Sequence, residues 1–166
     1  MDLLGDDYPY SNSALRGKHA LVCGASKGIG AATAKVLAKA GASVTVCARN
    51  AEALDELCIE LSTLGSGSHS SLPLDLENTQ AIKPAVEALI SAKGPIHILI
   101  NNAAGPKGGP LLGVDLADLE GPFKRHLHAS HTMVQAVVAG MEAEGYGRII
   151  QIISTSVKEP IPNLGL

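Results

Sequence analysis

The chain has 166 residues, of which 46% are hydrophobic and 17% are charged, and its formal net charge is −3. This composition is typical of one folded domain with a substantial core, and it excludes a disordered chain. No long basic run and no cluster of aromatic residues among basic ones is present, so nucleic acid is not an expected partner. No apolar segment approaches the roughly 20 residues that span a bilayer, so a membrane protein is not expected either.

We interpret residues 1–16 as an N-terminal arm and residues 17–166 as one domain. The arm is acidic and polar, unlike a signal peptide, which favours a cytoplasmic location. Cys23, Cys47 and Cys58 are odd in number and lack C-x-x-C spacing. The cysteines therefore predict buried, reduced thiols, with neither a disulfide nor a zinc site.

Short apolar runs alternate with amphipathic patterns from Lys18 onward. The runs predict buried strands at His19–Cys23, Ser43–Ala48, Ser70–Leu74, Ile96–Ile100 and Arg148–Ile153. The patterns between them predict four helices, which run from Ile29 to Gly41, from Leu54 to Gly65, over Glu77–Ala92, and, as one long helix, from Leu119 to Met141. This alternation predicts an α/β fold with a Rossmann-type, doubly wound parallel sheet in the strand order 3-2-1-4-5. Ligands of such sheets bind at the carboxyl ends of the strands.

The first strand leads into a turn with three glycines and then into a helix; its residues are Gly24, Ala25, Ser26, Lys27, Gly28, Ile29 and Gly30. Glycines let the backbone approach a ligand closely, and the first N–H groups of a helix attract anions. We therefore expect this glycine turn to hold the pyrophosphate of a dinucleotide, although its spacing is G-x-x-x-G-x-G rather than G-x-G-x-x-G. The alternative is a strand-to-helix connection that merely needs glycine.

The second strand is followed by Arg49, at a place where NAD-selective sheets usually carry an acidic residue. Lys27 adds a second positive charge nearby. Two cations without a carboxylate suit a 2′-phosphate, which favours NADP(H) over NAD(H). The alternative is that both are ordinary solvated cations of the surface.

Polar residues also follow the other three strands. After the third strand, Asp75 and Leu76 could meet an adenine edge, or Asp75 could cap the next helix. After the fourth strand, the amides of Asn101 and Asn102 could bond to neighbouring backbone and to a ribose, while the small residues Ala103, Ala104 and Gly105 let the chain pass close to a ligand. After the fifth strand, one of the hydroxyls of Ser154, Thr155 and Ser156 could donate to a substrate carbonyl, or these residues fill an ordinary loop.

Together, the motifs CGASKGIG, NNAAG and GRIIQIIST resemble the short-chain dehydrogenase/reductase family, in particular its 3-oxoacyl-reductase-like members, over about residues 15–166. The resemblance implies an NADP(H)-dependent oxidoreductase that interconverts a small-molecule ketone and a secondary alcohol. It implies that Ser154 is the catalytic serine, that Asp75 and Leu76 bind the adenine and that Asn102 meets the ribose. It places Lys27 and Arg49 where NADP-preferring members carry basic residues, and it implies a homo-oligomer that pairs through the long helix.

Four departures from the family pattern stand beside this resemblance. Cys23 replaces a threonine, and Ala104 displaces the glycine of N-N-A-G. His126 falls where the family has an asparagine, so a proton relay through it would be altered. The Tyr-x-x-x-Lys pair, expected just over a dozen residues after Ser154, would fall past Leu166, and so would the last two strands of the family's sheet. We therefore expect the domain of residues 17–166 to be incomplete at its C-terminus, as part of a longer reductase or as a truncated product. The alternative function is a nucleotide-binding protein that is catalytically weak or regulatory.

Two further patterns are given no chemical role. His126, His128 and His131 do not share one helix face and have no acidic companions, so we expect no metal site. Lys158 lies four residues after Ser154, but Glu159 beside it and the proline that follows indicate a loop rather than a Ser–Lys pair.

Overall fold

The computed structural model describes residues 12–106, 108–159 and 161–162. Its strands are β1 (His19–Cys23), β2 (Ser43–Ala48), β3 (His69–Pro73), β4 (Ile98–Asn101) and β5 (Arg148–Gln151). All neighbouring pairs are parallel, and the order in the sheet is β3-β2-β1-β4-β5. The predicted doubly wound sheet and its strand order are therefore confirmed.

The helices are α1 (Gly28–Lys39), α2 (Ala51–Leu64), α3 (Thr79–Lys93), α4 (Leu116–Pro122) and α5 (Ala129–Ala143), with a π-helical segment (Phe123–His128) between α4 and α5. Single turns of 3-10 helix occur at Leu111–Gly113 and Thr155–Val157. No helix in the described part of the chain combines the length and apolarity that a membrane crossing requires.

The strand predictions hold best at the centre of the sheet. The bounds of β1 and β2 are confirmed to the residue, whereas β4 begins at Ile98 rather than at Ile96, because its pairing with β1 and β5 starts at Ile98. The expectation that all five runs are buried is wrong for β5, which is exposed along its length, and β3 is only partly buried. Within the part of the chain that the structure describes, these two are the outermost strands of the sheet, and each has a strand beside it on one side only.

The predicted long helix is one helical path with three parts. The chain stays in helical conformation through Pro122 and His128, but its hydrogen bonds widen to the π pattern from Phe123 to His128. Pro122 lies directly before this segment, and a proline has no N–H to donate within a helix. Apolar spacing predicts the helix but does not reveal the change of pattern within it.

Helices cover both faces of the sheet. On one face, alternate residues of β1 and β2 pack against α1 and α2; the fully buried side chains there include Ala20, Val22, Val44, Val46, Ala34, Ala38, Leu54 and Leu61. On the other face, the remaining residues of β1 and Leu99 of β4 pack against α3 and α5; the buried side chains there include Leu21, Leu99, Ile82, Val86, Met133 and Val137. The sheet thus divides the core into two layers. The carboxyl edge of the sheet is the place where a ligand is expected.

The amino edge of the sheet contains a buried polar network. His19 Nε2 lies 2.8 Å from Thr45 Oγ1, and the backbone N–H of His19 donates to His97 Nδ1 at 3.0 Å. Burial and the neighbouring His97 lower the pKa of His19, and burial also lowers the pKa of His97. Both rings are therefore neutral near pH 7.

Part of the predicted arm is described and contacts the domain. Leu15 packs against the core, and its backbone N–H donates to the carbonyl of Ala40 at 2.8 Å. Residues 1–11 of the arm lie outside the described residues.

Candidate functional site

A small cavity of about 60 Å³ opens at the carboxyl edge of the sheet. It is lined by Cys23 at the end of β1, by residues 101–103 at and after the end of β4, by residues 151–153 at and after the end of β5, and by side chains from the π-helical segment and α5. Leu76, from the loop after β3, completes the wall. Strand ends that are far apart in the sequence thus meet where the topology predicts a ligand.

The glycine turn is packed tightly at two of its glycines. Gly24 has φ +60°, and a Cβ there would lie 2.6 Å from the backbone oxygen of Asn102. A Cβ on Gly30 would lie 2.3 Å from the carbonyl oxygen of Gly24. The side chain of Asn102 donates to the carbonyls of Cys23 and Gly24, each at 3.2 Å. Asn102 therefore fixes the turn from the neighbouring strand end.

The start of α1 leaves its first backbone N–H groups without a side-chain cap. Lys27 occupies the N-cap in an extended conformation and its side chain makes no capping hydrogen bond, so the N–H groups of the first turn lack a side-chain acceptor there. Gly28 faces open space, since a Cβ on it would meet no atom within 4 Å. The first turn carries no acidic residue that would repel a phosphate. The residues present therefore fit the pyrophosphate of a dinucleotide.

The two predicted cations lie exposed at the same end of the sheet. Lys27 belongs to the glycine turn, and Arg49 follows β2 directly, beside the Asn50 N-cap of α2. Cys23 and Cys47 pair in register between β1 and β2, so the two strand ends that lead to these cations are neighbours. The Cys47 thiol and burial raise the pKa of Cys23, which keeps this thiol protonated beside the turn.

The structure does not bear out one of the two interpretations of Asp75, that it caps the third helix. That helix begins at Thr79 rather than at Glu77, and Asn78 stands at its N-cap. Asp75 instead accepts a hydrogen bond at 3.0 Å from the backbone N–H of Glu77, which closes a local turn. The loop thus leaves β3 through this turn, with Leu76 facing the cavity.

His126 reaches the loop after β4 from the π-helical segment. Its Nε2 lies 3.0 Å from the carbonyl oxygen of Ala104. Because a carbonyl oxygen only accepts, Nε2 carries the hydrogen of this bond, and when the ring carries no second hydrogen Nδ1 is an acceptor. His126 also lines the cavity together with Asn102 and Ala103. The structure therefore brings these three predicted site residues together.

Ser154 stands just beyond the cavity wall, after Ile153. Its Oγ accepts from the backbone N–H of Ser156 at 3.1 Å and from the Ser156 hydroxyl at 2.6 Å. A hydroxyl has two acceptor positions and one donor, so the Ser154 proton is left to donate to another group. The side chain is exposed and is not among those that line the cavity.

Two candidate functional residues, Arg125 and Glu77, were not singled out from the sequence. Arg125 lines the cavity and its Nη1 lies 2.5 Å from Glu77 Oε1, although the two residues are 48 positions apart. The only signal for Arg125 is its spacing, because it lies four residues before the buried Ala129 and continues the buried line at four-residue intervals to Met133.

The other two histidines of the predicted cluster and Tyr146 lie away from the cavity. His128 and His131 line an open groove between α3 and α5, away from the cavity. Tyr146 lies near the amino edge, with its ring 6.2 Å from that of His97 and 4.1 Å from Lys18 Nζ. Among the described residues, no group of three side chains is placed to hold a metal ion.

Comparison with known proteins adds independent information. The family model for short chain dehydrogenase matches residues 18–166. The ketoacyl reductase HetN of Nostoc sp. is 32% identical over 149 residues, which cover 90% of this chain and 52% of HetN. A crystal structure of L-sorbose reductase from Gluconobacter frateurii with NADPH and L-sorbose has a TM-score of 0.86 at 26% identity, covering 93% of this chain and 59% of that protein.

A metagenomic short-chain oxidoreductase solved with NADP has a TM-score of 0.85 at 35% identity, and the match covers 92% of this chain and 68% of that one. The chain thus spans between half and about two thirds of the length of the three proteins compared.

Proposed function

This chain belongs to the short chain dehydrogenase family, and we propose that it binds NADP(H) and serves an oxidoreductase that interconverts a ketone and a secondary alcohol. The observation that carries the proposal is the uncapped start of α1 behind the glycine turn, at the edge of the sheet where Asn102 and His126 also meet. The two solved relatives described above were crystallised with NADPH or NADP, which supports the same cofactor here.

The cofactor would lie along the carboxyl edge of the sheet. The residues of the glycine turn, Gly24–Gly30, would hold the pyrophosphate through the first N–H groups of α1, and Lys27 and Arg49 would hold the 2′-phosphate. Asp75 and Leu76 would meet the adenine, and residues 102–105 would pass beside the ribose. When bound, NADP(H) supplies or accepts the hydride.

The polar groups of the chain would act on the substrate oxygen. Ser154 has its proton free because both acceptor positions of its oxygen are used, so it would donate to a substrate carbonyl and polarise it. His126 keeps Nε2 on Ala104 and presents Nδ1 as an acceptor, which suits it to pass a proton toward the cavity. Both are therefore proposed as catalytic residues.

Selectivity for the 2′-phosphate is tested with Arg49→Ala. A charge-assisted contact contributes about 1.5–3 kcal/mol, and the exposure of Arg49 favours the lower end, so the affinity for NADPH should fall about tenfold while that for NADH changes little. The measurement is a fluorescence titration of both cofactors. Arg16→Ala removes another exposed arginine, before β1, and serves as the matched control. An unchanged ratio of the NADPH and NADH affinities would refute the role of Arg49.

A second candidate function is nucleotide binding with weak or regulatory catalysis. The observation that favours it is that Tyr146, the one tyrosine among the described residues, lies near the amino edge and not beside Ser154. An acid of matched pKa contributes about 10²–10⁴ in rate, so its absence would slow ketone reduction by that factor. Loss of NADPH absorbance with a panel of small ketones, run beside the binding titration, separates the two functions. Binding without turnover favours the second.

A homo-oligomer and a cytoplasmic location complete the proposal. The outer surface of α4 and the π-helical segment exposes Leu116, Phe123 and Leu127, which would be covered by a second subunit. Sedimentation velocity over a range of concentrations tests the assembly, and a species of one chain at every concentration would contradict it.

A further inference from the structure

We propose that the ion pair between Glu77 and Arg125 is a positioning device: it holds the π-helical segment against the loop after β3 and thereby keeps His126 at the carbonyl of Ala104. Neither residue is assigned to cofactor or substrate above. The inference rests on the proposed function only where NADPH is used as a reporter of the site.

The pair is short and partly shielded from water. Arg125 Nη1 lies 2.5 Å from Glu77 Oε1, and the side chains are 23% and 35% exposed. Among the described residues, Nε of Arg125 is buried without a hydrogen-bond partner. The carboxylate of Glu77 is thus the acceptor that holds this guanidinium, and without it a cation would be left half-buried and unpaired.

The position of Arg125 on its helix explains why it points inward. Ala129, Met133, Val137 and Met141 are buried at intervals of four residues along α5. Arg125 is the preceding member of that line, and it lies inside the π-helical segment. A charged side chain therefore occupies a place that an apolar residue would fill in a simple core-facing helix.

Gly121 provides the space for the pair. It lies in α4, one turn before Arg125, and a Cβ there would lie 3.2 Å from Arg125 Nη1 and 3.8 Å from Glu77 Oε2. Glycine is unfavourable inside a helix, so its presence at the point of contact indicates that the room is needed.

Contacts on either side connect the pair to the candidate site. The backbone N–H of Glu77 donates to Asp75 Oδ1 at 3.0 Å, and Leu76 between them lines the cavity. On the helix, Arg125 precedes His126, whose Nε2 bonds to Ala104 O at 3.0 Å. The ion pair therefore joins two segments of the cavity wall that the sheet does not hold together.

The test compares Glu77→Gln, Arg125→Met and the double variant with Lys124→Met. The control removes the neighbouring pair Lys124–Glu120, at 3.4 Å, whose side chains are 46% and 70% exposed. The first readout is the NMR signal of the His126 ring, assigned by its loss in His126→Gln, and the second is the dissociation constant for NADPH.

We expect the His126 signal to shift in both single variants and in the double variant, and to keep its place in Lys124→Met. NADPH binding should weaken three- to tenfold in each single variant, and the double variant should be no weaker than either one, because both changes remove one interaction. A structural role alone would lower the melting temperature without moving the His126 signal.

An unshifted His126 signal in folded Glu77→Gln and Arg125→Met would overturn the inference. If Arg125→Met does not fold, Arg125→Lys, which keeps the charge but loses the planar fork, takes its place with Glu77→Gln. Failure of the wild type to bind NADPH would refute the proposed function, and the His126 signal would still decide the inference.

Discussion

Replacing Gly24 by alanine separates two reasons why the glycine turn needs glycine. Gly24 has φ +60°, and a Cβ there would lie 2.6 Å from the backbone oxygen and 2.7 Å from the side-chain nitrogen of Asn102. Gly28 has nearly the same conformation, φ +59°, but a Cβ there meets nothing within 4 Å. Gly28→Ala therefore measures the cost of the left-handed conformation alone.

The expected difference follows from the contacts. The left-handed conformation costs an alanine about 1–2 kcal/mol, which is the whole effect at Gly28. At Gly24 the Cβ also displaces Asn102, whose two hydrogen bonds to the turn contribute about 1 kcal/mol each. Gly24→Ala should therefore lower the free energy of unfolding by about 3–4 kcal/mol, which corresponds to a fall of about 6–16 °C in the melting temperature.

Urea unfolding followed by circular dichroism measures both variants. Asn102→Ala provides the matched background, because it removes the side-chain nitrogen but leaves the backbone oxygen in place, so the gap between the two glycine variants should shrink without closing. Equal destabilisation by Gly24→Ala and Gly28→Ala would refute the reasoning that Asn102 and Gly24 are locked together.

Two further predictions concern the titration and access of buried groups. Because the pKa values of His19 and His97 are lowered in the folded chain, the unfolded chain binds more protons below about pH 6.5. As the pH is lowered, the free energy of unfolding should therefore fall, by up to about 1.4 kcal/mol per pH unit for each ring. A free energy of unfolding that stays level between pH 8 and pH 5 would contradict this. Native alkylation with iodoacetamide, followed by intact mass, should modify the half-buried Cys58 before the buried Cys23 and Cys47; equal rates for all three would contradict the packing.

The strands that pack on both faces were the easiest part to predict. β1 and β2 are short apolar runs bounded by polar or small residues, so their ends follow from composition alone. The strand order follows from the alternation of strands and helices, since crossovers are right-handed. β5 has the same apolar letters as a central strand, and its exposure depends on what stands beside it in space, which a single sequence does not state.

Those residues of the candidate site that directly follow a strand could be predicted from the sequence. Asn102 was expected to bond to nearby backbone, and it does so with Cys23 and Gly24. The roles of the site residues toward cofactor and substrate stay predictions. Asp75 was open to two interpretations because a carboxylate before a helix suits both a cap and a local turn, and the helix begins too late for the cap.

The pair of Glu77 and Arg125 could not be predicted from local pattern. Taken alone, each charged residue is typical of a solvated surface, and 48 positions in the sequence separate the two.

The different surroundings of the turn glycines have a consequence for how such chains diverge. Gly24 and Gly30 are confined by the protein itself, so a descendant that had lost its nucleotide would still need both to fold. Gly28 is bordered only by open space, and once no phosphate had to approach, an asparagine, which tolerates its left-handed backbone, would be accepted there. Among related sequences, the middle glycine is thus the one whose loss marks an abandoned cofactor.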